Sequence, residues 1–192
     1  SEIEAKFAYP LISMSAVMSR DFDKAREYLL RANPLFASDT TESVDRQNYR
    51  AAILLAYVYQ QMGDSRRAER LLAEADGIIA GMHRIGIGGH GISDVHILAL
   101  RGQRDAALDA LRDAIEEGFV SLVPYEMWTL DQNPMIDVLR EESRFKAMKL
   151  EIDQKIEVMR DNVERADESG EWSDLLDRAR VNELEAGIAS LR

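Results

Sequence analysis

Apolar residues recur along most of the chain at steps of three and four, the spacing that gathers them on one face of a helix. Ile12, Ala16 and Met18 make the first such face, before Ser19-Arg20-Asp21. Ala25, Tyr28, Leu29 and Ala32 make a second, ended by Asn33-Pro34, since the residue before a proline is pushed out of the helical region. A polar stretch over 37–43 reads as a loop capping a helix over 44–62, with Ala52, Leu55, Ala56 and Tyr59 on one face. Ala68, Leu71, Leu72 and Ala75 predict its partner, ending near Gly81. A glycine run then leads to a short helix from Ser93 to Leu100, and Ala107, Leu108, Leu111, Ala114 and Ile115 predict another. Residues 119–133 are aromatic and irregular. Asn133 as a cap with Pro134 in the first turn predicts a helix carrying Ile136, Val138 and Leu139. Phe145, Met148, Ile152, Ile156, Met159 and Val163 stripe a long helix. A last helix carries Trp172, Leu175, Leu176, Ala179, Leu184, Ile188 and Leu191. Alternating segments bounded by turns are nearly absent, so the expected fold class is all-α.

The segments repeat. The run 61–75 aligns with 100–114, placing Gly63 on Gly102 and Ala68 on Ala107, both 39 residues apart. A third copy runs from Ser19-Arg20-Asp21 through Ala25, Leu29 and Ala32, with Arg20 where the others have glycine. Each copy reads as two antiparallel helices joined by a tight turn. Gly63 and Gly102 supply the positive φ that ends the first helix. Ala25, Ala68 and Ala107 let the second helix approach closely, and Ala32, Ala75 and Ala114 let the next pair stack.

These residues resemble the tetratricopeptide repeat, with longer spacing accounted for by insertions in the loops at 33–45 and 81–92. The middle copy matches best, with Ala56 and Tyr59 in its first helix. The runs 91–102, 107–118 and 133–140 with Arg144-Phe145 also look like the C-terminal repeat region of bacterial multidomain signalling proteins. In that family the repeats follow a winged-helix or nucleotide-cyclase domain. The resemblance implies a right-handed stack of three helix pairs over 1–133, a helical extension over 134–192, and a regulatory, non-catalytic role in binding a protein or peptide.

Charge narrows the partners. Lys plus Arg is 24 against 35 Asp plus Glu, a net charge of −11, which disfavours nucleic-acid phosphates and anionic lipid surfaces. The longest apolar run, 51–59, falls short of the roughly 20 residues a membrane helix needs. Cysteine is absent, which excludes disulfides and thiolate chemistry. A first residue of Ser points to a cut or processed chain, and the expected compartment is the cytoplasm, or the periplasm if a parent chain has a membrane segment.

Gly86-x-Gly88-x-x-Gly91 matches the dinucleotide fingerprint literally, but that motif works between a strand and a helix, and a helix is expected to precede it here. His83, His90, His96 and Asp94 are metal-ligand types without helical pair spacing, so neither metal nor cofactor is expected. The face opposite Ala52 and Ala56 presents Arg50, Ile53, Tyr57, Gln60 and Gln61. The first copy adds Met14, Val17 and Met18, and the third adds Ile92 and His96. This apolar and amide surface suits an extended peptide or a helix, unless C-terminal helices cover part of it. A second function class is a small-ligand sensor with its pocket near His90, His96, Tyr125 and Trp128. The stripe from Phe145 either caps the stack or joins two copies as a homodimer, and the last helix, with Trp172 and Leu175, favours dimerisation or packing in a parent protein.

Overall fold

The computed structural model describes residues 2–38, 43–86, 88–120 and 128–170, with side chains from residue 8 onward. The α-helices are α1 (Glu2–Met18), α2 (Phe22–Ala32), α3 (Tyr49–Gln61), α4 (Ser65–Ile79), α5 (Ser93–Leu100), α6 (Arg104–Glu116) and α7 (Ser143–Glu168). Two 3₁₀ helices, Pro34–Ala37 and Pro134–Leu139, complete the described residues, which contain no strand. The chain divides into two units, 1–149 and 150–192, with the division inside α7.

In the first unit α1 packs on α2, α3 on α4 and α5 on α6, and neighbouring pairs meet through α2 with α3, α3 with α5 and α4 with α5. The aligned turns share one geometry. In the middle pair the Asp64 N–H donates to the Tyr59 carbonyl at 2.8 Å and the Gly63 N–H to that of Gln60 at 3.0 Å. The third pair repeats this with Gln103 to Leu98 and Gly102 to Ala99, both at 2.9 Å, and the first with Asp21 to Ala16 at 2.9 Å and Arg20 to Val17 at 3.0 Å. This is the double hydrogen bond that closes a helix around a left-handed residue. Gly63 and Gly102 take φ of 82° and 72°. Arg20 takes 59°, so the first copy keeps the turn without the glycine. A left-handed residue with a Cβ costs about 1–2 kcal/mol, and glycine's extra freedom in the unfolded chain costs about 0.5–1 kcal/mol. Arg20→Gly is therefore expected to stabilise the protein by roughly 0.5–1 kcal/mol. A lowered thermal midpoint would mean that the Arg20 side chain contributes more than the strain it imposes.

Ala25, Ala68 and Ala107 are all buried at 1% exposure or less, where the second helix of each pair meets the first. Leu29, Leu72 and Leu111 follow one turn later and are also buried. Ala68→Leu or Ala107→Leu would force methylenes into these contacts and should cost about 1–3 kcal/mol. Unchanged melting midpoints in both variants would contradict the close helix approach.

Two segments differ from the sequence expectation. Helix α3 begins at Tyr49 rather than near residue 44. The Asp45 carboxylate accepts from the Gln47 and Asn48 N–H groups at 2.7 and 3.0 Å, and the Asn48 side chain accepts from the Asp45 N–H at 2.8 Å, which holds a turn before the helix. The segment after Asn133 is 3₁₀ rather than α, with Ile136 at non-helical angles. Asn133 does cap it, accepting from the Met135 N–H at 3.0 Å. Helix α7 is the one long helix expected after Ser143; there Phe145 and Met148 are buried and Arg144 pairs with Asp109 of α6. In the second unit Val158, Met159 and Val163 of α7 are exposed. Residues 121–127 and 171–192, with Tyr125, Met127, Trp172 and Leu175, lie outside the described residues.

Candidate functional site

Helix α3 is central to the first unit, and its side chains divide between core and groove. Ala52, Leu55, Ala56 and Tyr59 are buried as their spacing requires. Of the groove residues, Ile53 is 1% exposed and His96 6%. Both face the depression beside the segment 128–135, where Trp128, Asn133 and Met135 complete the lining. The space left there is about 20 Å³, room for about one water. The chain's own segment has filled this part of the groove.

His96 shows how the segment is held. Asn133 Oδ1 accepts from the Met135 N–H, so its amide nitrogen is the donor to His96 Nε2, at 2.8 Å. The imidazole must therefore accept at Nε2, which requires the neutral ring. Burial first, and the Arg50 charge next, lower its pKa to about 4, against Asp94.

Other groove residues are committed to intramolecular contacts. Gln60 Nε2 donates to the Leu100 carbonyl at 2.9 Å, joining α3 to the end of α5. Arg50 donates from Nη2 to the Gly89 carbonyl at 2.9 Å and from Nε to the Tyr49 hydroxyl at 2.8 Å. Met14 is half-buried, packed against the core, and Val17 and Ile92 are buried within it.

What stays accessible is a groove of about 300 Å³ at the other end of α3. Tyr57, Gln60 and Gln61 form one wall, Arg20 and Phe22 of the first turn another, and Leu100 with Met135, Asp137 and Val138 the third. Phe22 meets Tyr57 edge-on, ring centroids 6.1 Å apart. Burial first and Asp137 next raise the Tyr57 phenol, against Arg20, so it stays a neutral hydrogen-bonding group at pH 7. Gln61 is exposed, and Met18 is 52% exposed on the last turn of α1. Sequence spacing had not placed Arg20, Phe22 or Val138 here. Their approach depends on the turn at 20 and on the return of the chain at 134–139, which no local pattern announces.

The glycine run follows α4 and precedes α5, so the strand that a dinucleotide fingerprint needs is not there among the described residues. It is a stitched turn instead. The His90 N–H donates to the His83 carbonyl at 3.0 Å, Gly91 to Arg84 at 2.9 Å, and Gly89 to Gly86 at 3.0 Å. A Cβ on Gly89 would stand 2.3 Å from the Arg84 carbonyl oxygen, so only glycine fits. Arg84 clamps the turn, reaching Asp94 with two bonds at 2.8 and 2.9 Å and the Gly91 carbonyl at 3.0 Å.

His90 Nδ1 is buried without a hydrogen-bond partner, 3.9 Å from Asp94. Burial is the first cause of its lowered pKa; Arg84 and Arg50 add to it, against Asp94 and Glu117. His83 is exposed, and no group of three or more His, Asp or Glu among the described residues is placed to hold a metal. No described helix is long and apolar enough to cross a membrane. Comparison with known protein families, with curated proteins and with solved structures returns no match in any of the three.

Proposed function

We propose that this chain is a non-catalytic interaction module of the tetratricopeptide-repeat type, and that it binds an extended peptide in the groove beside Tyr57. The observation that carries this is the groove itself. The first turn, α3, the end of α5 and the segment 134–138 wall it with a preformed aromatic and amide lining, of which Arg20 and Gln61 are exposed, and Met18 is exposed on the last turn of α1. Peptide recognition in helical repeats reuses such surfaces, with apolar pockets for side chains and amides for the peptide backbone. Arg20 and Asp137 flank Tyr57 with opposite charges, which gives the groove a direction for a dipolar ligand. The buried His96 and the half-buried Glu74 have structural partners, in keeping with a binding role. A regulatory place beside an effector domain follows from the same reading.

Selection from a library of random peptides tests it, with Met18→Glu and Gln61→Glu as variants that alter exposed side chains. The selected peptides should bind each variant at least about tenfold more weakly, a loss of about 1.4 kcal/mol. Peptides that bind both variants as tightly as the parent chain would refute the groove, as would the failure of any peptide to be selected.

A further inference from the structure

A second concavity lies at the opposite end of α3, against the glycine turn. It encloses about 580 Å³, within the range of sites that hold small molecules. Its lining includes the guanidinium groups of Arg46, Arg50 and Arg84, and no described Asp or Glu lines it, in a chain whose net charge is −11. Arg84 spends its charge on Asp94 and Glu117. Arg46 is exposed and donates from Nη2 to the Gly81 carbonyl at 3.1 Å, one bond from a group with five N–H donors. Gln47, Tyr49 and the glycine backbone line it too, and one edge of the wall is apolar. Ile85 is 41% exposed although the turn beneath it is stitched by backbone bonds, and Phe119 and Val120 line the cleft with it. An exposed isoleucine on a stitched turn, beside the exposed guanidinium of Arg46, matches a ligand that has an apolar body and a negative end.

We infer that this cleft is a binding site for a small organic acid, whose carboxylate meets Arg46 and whose flat apolar body lies on Ile85 beside Phe119. Bidentate guanidinium–carboxylate geometry suits the charged end. The site is independent of the peptide groove, since it uses the first turn of α3 and the turn at 84–91 rather than Tyr57 and Gln61.

Titration with 2-naphthoate, followed by amide nuclear magnetic resonance, tests this. Saturable shifts are expected at Gly86, Gly88, Gly89 and Gly91, with a Kd of about 1 mM or tighter. Two comparison probes separate the parts. 2-Naphthylmethanol lacks the charge and acetate lacks the apolar body, and each should bind at least about tenfold more weakly. Arg46→Gln, on an exposed side chain, should weaken 2-naphthoate by a similar factor, and Ile85→Ser should do the same. Gln61→Glu should leave the titration unchanged, whether or not the peptide groove is real. The absence of saturable shifts at these glycines would overturn the site. So would equal binding of either comparison probe, or an unaltered affinity in Arg46→Gln.

Discussion

Acidification from about pH 7 to about pH 4 is expected to withdraw about 3 kcal/mol of stability through His96 alone. The ring is neutral when folded, with a pKa of about 4, and titrates near 6.5 when unfolded. Between these values the unfolded chain binds more protons, so stability falls as pH falls. Above the unfolded value His96 contributes no pH dependence. The structural cause is the Asn133 amide, which offers a donor to Nε2 and cannot accept from a protonated ring. The lowered pKa of His90 acts in the same direction. Urea unfolding at several pH values measures the slope, and His96→Gln, whose carbonyl can still accept from Asn133, should flatten it. A slope unchanged in that variant would contradict the assignment.

Replacement of Glu74 by alanine should cost about 2–4 kcal/mol. Its Oε2 accepts from the Ser43 N–H at 2.8 Å, the Ser43 hydroxyl at 3.0 Å and the Val44 N–H at 3.1 Å. Its Oε1 accepts from Arg70 at 2.9 Å, and Arg70 also reaches the Phe36 carbonyl at 3.0 Å. The two side chains are 13% and 17% exposed. Losing the carboxylate removes an acceptor from three donors and leaves the guanidinium charge in a largely desolvated place. Burial alone would raise the Glu74 pKa; the Ser43 and Arg70 contacts overcome that and hold it below the usual value. Its stabilisation is thus fully present above the unfolded carboxylate range and is lost as pH falls through the folded value. Denaturation midpoints of Glu74→Ala, Arg70→Ala and the double variant measure the coupling. Strictly additive losses would show that the pair acts as two separate surface groups.

The contrast between Glu74 and Ala68 shows what a sequence makes legible. Ala68, Leu72 and Ala75 declare their face through spacing, and the helix they predict matches α4 closely. Arg70 and Glu74 have the same spacing as an exposed ion pair on a solvated helix face. Only contacts some 30 residues away in the chain, to Phe36, Ser43 and Val44, turn them into an interior clamp. Arg20 is the reverse case. The sequence shows a departure from the repeat there, yet the backbone bonds of the turn are strong enough to impose the same left-handed geometry. The groove was half legible. Periodicity places Ile53, Tyr57, Gln60 and Gln61 on one side of α3, but whether that side meets solvent depends on where residues 128–139 return. They cover Ile53 and His96 and leave Tyr57 and Gln61.

The peptide groove is the central claim, and amide-resolved mapping of a selected peptide on the folded chain tests it most directly. Shifts are expected to concentrate at Arg20, Phe22, Tyr57, Gln61 and Val138, with the outer faces of α4 and α6 silent. Shifts confined to those outer faces, with Tyr57 and Gln61 unmoved, would contradict it.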